Sequence, residues 1–407
     1  GAVTDGGRIT DAQDLPTLES ILSAFITPDA MQDKYAFASG GGHSYTAPST
    51  LATLADMSSH TKAMPLFDDP NIFGLHVNAN VSFQRKENGT FMQTILQADR
   101  SGSGAGGGGN AGGNNLVTTL ALDILPKLTD FDAEDAGPDT FEKDDQGGIN
   151  AIGVCLKNEL IRFNNLTGTM RRTLKDMLKA LKGLVVMSED IENMVRSLPV
   201  QQVPAVWAYP ISYLSLKPFE GWMHDYYARV QFMSNWLRET PPSSFWLSAF
   251  FFPQGFISSV KQTFARRYLV PIDQLDMHTL VTKMGRDEAL QGVPPDTGVY
   301  VHGLYMNGAG FDFGTSMIRQ SRPGEIYCEM PVIHLKPFNM TKGNSNTEVE
   351  DRDTYDYKCC LYKTSVRWGS LSTTGHSTNF VMPYTIQCPR AIQAQRMGVA
   401  MVLNLDL

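Results

Sequence analysis

The sequence is poor in cysteine and has no excess of positive charge. Five cysteines occur among 407 residues, and no two of them form a Cys-x-x-Cys pair. This pattern argues against a zinc ribbon and a disulfide framework, and it favours a reducing compartment. The formal net charge of -8 argues against general binding to nucleic acid or anionic lipid, since both attract a positive surface. We therefore expect neither nucleic acid nor a membrane among the partners.

Long apolar runs and phosphate-binding loops are also missing. The most apolar segment, 244–260, is about 17 residues long and is interrupted by Pro253, so it is too short to span a bilayer. The glycine-rich segment 101–115 contains no lysine, whereas a Walker loop ends in Gly-Lys-Ser/Thr, and it is predicted to be a flexible spacer. The acidic segment 130–145 mimics a calcium loop. Asp135 stands where an EF-hand needs glycine, however, so a solvated loop is predicted.

Short helices are predicted in the first hundred residues. Apolar residues recur at helical spacing between Asp14, a suitable N-cap, and Pro28, which ends the pattern. Further helices are predicted near Ser49 and around Phe91, and small helices joined by loops are typical of a helical lid. Residues 1–10 contain no apolar run that could found a core, so we expect a preceding piece of the polypeptide.

The longest periodic segment begins at Ile152 and keeps apolar residues three or four positions apart as far as Leu184. Continued to about Leu198, it predicts a single helix of about 45 residues, roughly 65 Å long, that braces more than one domain. Four basic residues line its other face and form the candidate interface of the sequence: Arg171, Lys175, Lys179 and Lys182. Such a stripe is most often a solvated helix face, and the alternative is a docking surface for an acidic neighbour.

The second half of the sequence changes from helical to strand-like patterns. A turn-rich connector, 199–218, precedes a predicted helix over 219–238, and the aromatic run 245–252 predicts a buried strand that leads into a helix over 254–268. After Pro271, short strands without intervening helices are expected at 275–282, 299–306, 330–335, 358–364, 379–385 and 397–405. The predicted fold class is α+β: a helical lid and long-helix bundle followed by a six-stranded antiparallel, incomplete β-barrel.

Catalytic residues are hard to assemble from this sequence. His376 lies beside Ser372, Thr373 and Thr374, which suggests a nucleophile and a base, but neighbours on one strand or loop rarely have triad geometry. The other candidates are His302, His334 and the Cys359–Cys360 pair. His334 and Cys359 lie in strand patterns, where a packed or hydrogen-bonded role is expected. We expect no catalytic residue, cofactor or metal site in these 407 residues.

The segment Leu361–Phe380 is the most specific stretch of the sequence. Between Ser370 and Asn379 it reads Ser-Leu-Ser-Thr-Thr-Gly-His-Ser-Thr-Asn, an uncharged run that suits a corner between two strands. It resembles the signature near the C-terminus of axonemal dynein heavy chains, the motors of cilia and flagella. Four further landmarks resemble elements of that family in the same order: Gly6–Asp11, Ile72–Asn80, Ala180–Ser188 and Phe245–Phe256. Shorter matches fill the gaps at Ser215–Pro218, Pro271–Asp273, Val301–Leu304 and Met330–His334.

The resemblance implies three regions in the sequence. Residues 1–80 correspond to part of the helical lid of the sixth AAA+ module of a dynein heavy chain. Residues 81–270, with the spacer 101–115, correspond to the helical part of the dynein C-terminal domain. Residues 271–407 correspond to the antiparallel β-barrel part of that domain.

The resemblance also implies a function. By this resemblance, the sequence is expected to be the C-terminal part of a motor that moves toward microtubule minus ends. This part is expected to dock on the AAA+ ring and to support mechanical coupling in the beating of cilia and flagella. Since these residues hold no phosphate loop, the fragment is expected to be non-catalytic, with ATP and Mg²⁺ bound in upstream modules. The expected partners are the rest of the heavy chain ring, other dynein subunits and, through other regions, the microtubule of the axoneme. The alternative is a β-barrel binding module that recruits a regulatory or accessory dynein chain.

Overall fold

The computed structural model describes residues 14–32, 35–37, 53–63, 70–73, 75–102, 110–143, 147–342, 355–366 and 377–406. Some of the sequence features lie outside these residues. They are the landmark Gly6–Asp11, the middle of the glycine-rich segment at 103–109, and 367–376 within the segment Leu361–Phe380, which includes His376.

Three helices lead from the N-terminal region to the rest of the molecule. They are α1 (Asp14–Phe25), α2 (Leu54–Ala63) and α3 (Asn78–Gly102). The predicted short helices are confirmed, with α2 beginning at Leu54. α3 is 25 residues long, so the helix predicted around Phe91 extends further in both directions.

The glycine-rich spacer is partly helical. Residues 101–102 end α3, and 110–115 form the first turns of α4 (Asn110–Ile124), so the prediction of a coil is wrong at both ends of the segment. Val117 and Ala121 of α4 are completely buried in the core. A helix anchored by packing extends through neighbouring residues of low helix propensity, which composition alone does not reveal.

The predicted long helix is two helices separated by a loop. They are α5 (Ala151–Leu181) and α6 (Glu189–Ser197). α5 begins at the N-cap Asn150, whose side chain accepts a hydrogen bond of 2.7 Å from the Gly153 amide. It ends at Gly183, where φ is +72°, and the Gly183 and Leu184 amides donate to carbonyls of the last turn. The prediction of one 45-residue helix is wrong because the apolar spacing continues across this helix-ending glycine.

The aromatic run is held between two helices. The elements here are α7 (Phe219–Arg238), β1 (Ser244–Trp246) and α8 (Pro253–Tyr268). α7 has the predicted bounds. The strand predicted over 245–252 is wrong beyond Trp246, because Leu247–Ala249 form a 3₁₀ turn. In this turn the Ser248 hydroxyl lies 2.7 Å from the Gly303 carbonyl oxygen and 2.8 Å from that of Leu403, so hydrogen bonds of a side chain replace strand pairing.

The remaining elements build two sheets. The helices are α9 (Arg286–Gln291) and α10 (Ala391–Arg396). The strands are β2 (Leu275–Val281), β3 (Val299–His302), β4 (Tyr305–Asn307), β5 (Gly310–Asp312), β6 (Met317–Arg319), β7 (Tyr327–Glu329), β8 (Ile333–Asn339), β9 (Tyr355–Thr364), β10 (Phe380–Cys388) and β11 (Ala400–Asn404).

The larger sheet is a nearly closed barrel. Its strand order is β5, β6, β10, β9, β11, β4 and β7. The two edge strands approach each other, since the Phe311 amide of β5 lies 3.3 Å from the Cys328 sulfur of β7. The smaller sheet has the order β1, β3, β8 and β2, and the Thr385 amide of β10 donates to the Thr279 hydroxyl of β2 at 3.1 Å. The two sheets are therefore in direct contact.

The α+β class is confirmed, but the strands differ in number and direction from the prediction. The expectation of no intervening helices is also wrong, because α9 and α10 lie between strands. Eleven strands occur in the described part of the sequence, and β1 pairs parallel with β3 and β9 parallel with β11. Two parallel neighbouring strands need a crossover connection between them. For β9 and β11 this connection contains β10 and α10. The strand predicted over 299–306 is divided at Gly303, where φ is +79° and a Cβ would lie 2.4 Å from the Trp246 ring.

One hydrophobic core runs through the helices and both sheets. It includes Phe163 and Met170 of α5, Trp236 of α7, Leu335 of β8 and Met401 of β11, all almost completely buried. No described helix combines the length and the apolar character that a bilayer crossing needs. Because the core is continuous, the α5 to α8 helices and the barrel form a single packed body.

Candidate interface

The four basic residues of the predicted interface do not behave alike. On a helical wheel of α5 they fall within about 80° of one another, so they do form a stripe. Arg171 is engaged in the fold: one guanidinium nitrogen lies 2.6 Å from the Asp130 carboxylate and another donates to the Leu128 carbonyl at 3.0 Å. Arg171 thus fastens the acidic segment to α5.

The three lysines have little contact with the rest of the fold. Lys179 lies 3.6 Å from the Asp176 carboxylate, a long contact between two exposed side chains, and such pairs contribute little to stability. Lys182 is exposed and is the C-cap of α5, while Lys175 is exposed one turn before Lys179. Their role as an interface stays a prediction.

An exposed apolar loop follows the lysines directly. We call Leu184–Met187 the apolar loop; it consists of Leu-Val-Val-Met and connects the end of α5 to α6. Val186 is 91% exposed and Leu184 is 72% exposed. The apolar spacing predicts these residues inside the long helix, and Gly183 is the sequence signal that could have placed them in a loop.

A polar clasp joins the start of α3 to the barrel. The Asn78 side-chain amide donates to the carbonyls of Arg322 and Glu325 at 2.8 and 3.0 Å, and its oxygen accepts from the Gly324 amide at 2.9 Å. Asn78 is 7% exposed and lies within the landmark Ile72–Asn80. We call this contact the Asn78 clasp, and it connects the N-terminal helices to the turn between β6 and β7.

The turn that receives Asn78 is braced by an ion pair. Both carboxylate oxygens of Glu325 meet the Arg319 guanidinium, at 2.7 and 2.8 Å, and one of them accepts from the Arg322 amide at 2.7 Å. These bonds to the charged form lower the pKa of Glu325 to about 2. The turn is therefore held in one conformation, ready to bind the Asn78 side chain.

A cleft of about 1060 Å³ lies beside the Asn78 clasp, between α3, the connector after α6 and the barrel. At its rim an Arg85 guanidinium nitrogen donates to the Asp406 carbonyl at 3.3 Å, and the Tyr327 hydroxyl donates to the Asp406 carboxylate at 2.8 Å. Burial raises the pKa of Tyr327 to about 12, so this hydroxyl stays protonated as a donor. α3 thus touches the C-terminal end of the barrel at a second point, two turns after Asn78.

A buried arginine connects α7 to the last strand. Arg229 is completely buried, donates to the Ser248 carbonyl and to the Asn404 side chain at 2.6 Å, and lies 3.4 Å from the Asp225 carboxylate. Its guanidinium carbon stands 3.9 Å from the centre of the Tyr213 ring. One residue therefore joins α7, the turn after β1, the connector and β11.

A buried glutamate fastens the aromatic landmark to α5. The Glu159 carboxylate accepts hydrogen bonds from the backbone amides of Phe251 and Phe252 at 2.7 and 3.3 Å, and it pairs with Arg162. Burial raises the pKa of Glu159, and the hydrogen bond from the Phe251 amide lowers it by a smaller amount. Glu159 thus satisfies two backbone donors at the start of α8, and the charge it carries is paired.

The candidate histidines that can be described make hydrogen bonds within the fold, and the cysteines are buried. Nδ1 of His302 lies 2.9 Å from the Ser244 hydroxyl, and burial lowers the pKa of His302 to about 4. Nε2 of His334 lies 2.7 Å from the Thr297 carbonyl oxygen. All five cysteines are buried, and in the described ranges no three His, Cys, Asp or Glu side chains gather as a metal site would require. His376, the remaining candidate base, lies outside those ranges.

Comparison with known proteins gives the same family for both parts of the sequence. A model of the C-terminal domain of the dynein heavy chain matches residues 85–403, and a model of the dynein heavy chain AAA lid domain matches residues 1–79. These two matches together cover nearly all of the sequence.

Curated relatives are axonemal dynein heavy chains. Dynein axonemal heavy chain 6 of Homo sapiens is 36% identical over 410 residues and 96% of this chain. Dynein axonemal heavy chain 1 of Homo sapiens is 36% identical over 412 residues, and Dynein axonemal heavy chain 3 of Mus musculus is 37% identical over 411 residues, each over 100% of this chain. The chain spans about a tenth of the length of these relatives, 10%, 9% and 10% respectively. The resemblance found in the sequence is confirmed: the chain belongs to the dynein heavy chain family and contains its AAA lid and C-terminal domains.

Proposed function

We propose that the chain is the C-terminal part of an axonemal dynein motor, that it docks on the AAA+ ring, and that it supports mechanical coupling without hydrolysing ATP itself. The matched relatives are axonemal heavy chains, and the axoneme of cilia or flagella is the location that this relationship gives. The motor moves toward microtubule minus ends. Its ATP and Mg²⁺ bind in modules that precede these residues. Its partners are the AAA+ ring and other dynein subunits, and the microtubule is bound through other regions.

The Asn78 clasp is the observation that carries this proposal. The lid-domain match ends at residue 79 and the C-terminal-domain match begins at residue 85, so Asn78 lies at the boundary between them. Its side chain makes three hydrogen bonds to a barrel turn more than 240 residues away in sequence. A rearrangement of the lid therefore has a direct contact through which it moves the barrel, and no catalytic group is needed for that role.

Removal of residues 81–407 from a complete heavy chain tests this role. The truncated motor is expected to move microtubules more slowly and to stall at lower force, because the lid loses the body to which it is fastened. Gliding velocity and optical-trap stall force measure both effects. Velocity and stall force equal to those of the intact motor would contradict the proposal.

The absence of catalysis is tested on the isolated 407-residue protein. We expect neither ATP nor an ester to be hydrolysed above the rate of a heat-denatured sample. The five cysteines are buried, and His302 and His334 make hydrogen bonds within the fold. Steady turnover that disappears on denaturation would contradict this expectation.

A second candidate function is the recruitment of a regulatory or accessory dynein chain by the barrel. Exposed apolar side chains near the sheets favour it, since Val293 is 85% exposed and Phe313 is 47% exposed. Affinity capture of dynein subunits from an axonemal extract by the 407-residue protein tests it. Loss of capture by a Val293→Asp, Phe313→Asp variant would support this function, and capture unaffected by the two changes would contradict it.

A further inference from the structure

The apolar loop exposes more hydrophobic surface than a free loop normally does. Leu184, Val185, Val186 and Met187 are 72%, 52%, 91% and 38% exposed, and they are consecutive. A contiguous exposed apolar patch on a soluble protein marks an interaction site more often than an accident of packing. The whole stretch 182–190 is exposed, so these side chains do not pack into the described part of the core.

The loop is held in shape at both ends. On one side, the Leu184 amide donates to the Lys179 carbonyl at 3.0 Å in the bonding pattern that closes α5. On the other side, the Ser188 hydroxyl caps α6 by accepting from the Ile191 amide at 3.4 Å. Met177 of α5 and Met194 of α6 are buried and fix the two helices to the core. A loop ordered before binding loses little conformational entropy on docking.

α6 links the loop to the part of the molecule where α3 packs. α6 connects it to the 3₁₀ turn Leu198–Val200, and this turn packs against α3, the helix that begins at Asn78. α6 has nine residues, so the loop is roughly 14 Å from that contact.

The charges around the loop are arranged by sign. Lys179 and Lys182 stand just before it, with Lys175 one turn earlier on α5, and Glu189 and Asp190 stand just after it on α6; all of them are exposed. A complementary surface therefore carries acidic residues on the α5 side and basic residues on the α6 side, with an apolar groove between them.

We propose that the apolar loop inserts into such a groove on the part of the same heavy chain that precedes these 407 residues. This inference rests on the proposed docking on the AAA+ ring and names the contact that makes it. The matched relatives are about ten times longer than this chain, at 9% to 10% coverage, so in heavy chains of that length most of the polypeptide lies outside the matched segment. A partner in the same polypeptide binds at a high effective concentration, which suits a small patch of four apolar side chains better than a separate protein does.

Site-specific photocrosslinking in the complete motor tests the contact. Val186→p-benzoylphenylalanine is introduced into a full heavy chain purified with its associated subunits, and the crosslinked peptides are identified by mass spectrometry. We expect crosslinks to heavy chain residues that precede Gly1, in a segment with apolar and acidic side chains. Val293→p-benzoylphenylalanine is the matched control, since Val293 is similarly exposed but lies after α9; it is expected not to give these peptides.

Charge reversal gives a second measurement that does not depend on the identity of the groove. Lys179→Glu with Lys182→Glu is expected to lower the crosslink yield at position 186 by at least about threefold, because two attractive contacts become repulsive. Both lysines are exposed, so the variant is expected to fold, and an unchanged melting temperature of the 407-residue protein verifies this.

Three results would overturn the inference: crosslinks of position 186 to an accessory subunit, its crosslinks to a second heavy chain, or a yield of the peptides that precede Gly1 no higher than at position 293. A yield unaffected by the charge reversal would also overturn it. The failure of the proposed function is distinguishable from these results. A motor without residues 81–407 that keeps its velocity and stall force would contradict the coupling function, even if position 186 crosslinks as expected.

Discussion

At the scale of single residues, buried polar side chains join segments that are far apart in sequence. Arg229 connects α7 to the turn after β1 and to β11, and Glu159 connects α5 to the start of α8. Each replaces contacts with water by several hydrogen bonds, and each is surrounded by apolar groups. Removing such a side chain therefore leaves its partners buried and unpaired, which costs more than the net stabilisation of the intact contact.

Arg229→Met is expected to lower the free energy of unfolding of the 407-residue protein by about 3 kcal/mol, because Asn404 and the Ser248 carbonyl lose their partner in the interior. Arg238→Met in the same helix is the matched control. Arg238 pairs with Asp135 at 3.1 Å, but both side chains are about half exposed, so a loss below about 1 kcal/mol is expected. Denaturant titration of both variants measures the difference, and equal losses would contradict the assigned role of Arg229.

The Arg319–Glu325 pair predicts a pH dependence of stability. The pKa of Glu325 is about 2 in the folded protein and 4.5 is its ordinary value, so the folded state favours the ionised form. Its contribution is therefore fully present above pH 4.5 and is lost as the pH falls from 4.5 toward 2. Since the pair is partly exposed, we expect a contribution of about 1–2 kcal/mol.

Glu325→Gln isolates this contribution. The variant is expected to be less stable than the parent at pH 7, and the gap between the two is expected to narrow as the pH is lowered from about 4.5 to about 3. Urea unfolding at a series of pH values measures it. Glu329→Gln, at an exposed carboxylate in β7, controls for the loss of one charge. If the difference in unfolding free energy between the parent and Glu325→Gln stays constant with pH, the stabilising role of the Arg319–Glu325 pair is contradicted.

At the scale of elements, one glycine decides where the longest helix ends. Gly183 has a φ of +72°, so a side chain there is strained, whereas Gly168 lies inside α5 with open space around it. Gly183→Ala is expected to lower the free energy of unfolding by about 1 kcal/mol, and Gly168→Ala to raise it by about 0.5–1 kcal/mol. Thermal unfolding compares the two variants. A stabilising Gly183→Ala would mean that α5 continues through the loop.

The same glycine shows what the sequence could and could not predict about the elements. Helices with apolar periodicity and clear ends, such as α7, were predicted with correct bounds. The apolar loop was missed because its residues continue the periodicity of α5, and periodicity alone does not distinguish a buried stripe from an exposed loop. The parallel pairings of β1 with β3 and of β9 with β11 were missed because pairing depends on contacts between distant segments.

The contacts of the candidate interface were less predictable from the sequence than the helices were. The basic stripe on α5 could be read from spacing, but the ion pair of Arg171 with Asp130 depends on how the acidic segment folds back. Asn78 was within a recognised landmark, yet nothing in the sequence pointed to its partners in the turn 322–325. Such contacts between residues more than 240 positions apart follow from the three-dimensional arrangement and have no local sequence signal.

At the scale of the whole molecule, one large body contacts the N-terminal helices at several places. The helices from α4 to α8 and both sheets share a continuous hydrophobic core, so they form one packed body. α3 is largely exposed and meets this body through the Asn78 clasp and through Arg85. α1 also packs against α10, just before the last strand of the barrel, so this helix contact and the polar contacts of α3 together join the N-terminal helices to the body.

The measurement that tests coupling most directly is the gliding velocity of a complete motor that carries Asn78→Ala. The change removes three hydrogen bonds from a buried position and is expected to weaken the clasp by about 1–3 kcal/mol. Asn80→Ala, at an exposed position two residues further along α3, is the control. We predict that Asn78→Ala lowers velocity and stall force while Asn80→Ala leaves both unchanged; a motor with Asn78→Ala that performs like the parent would contradict the account.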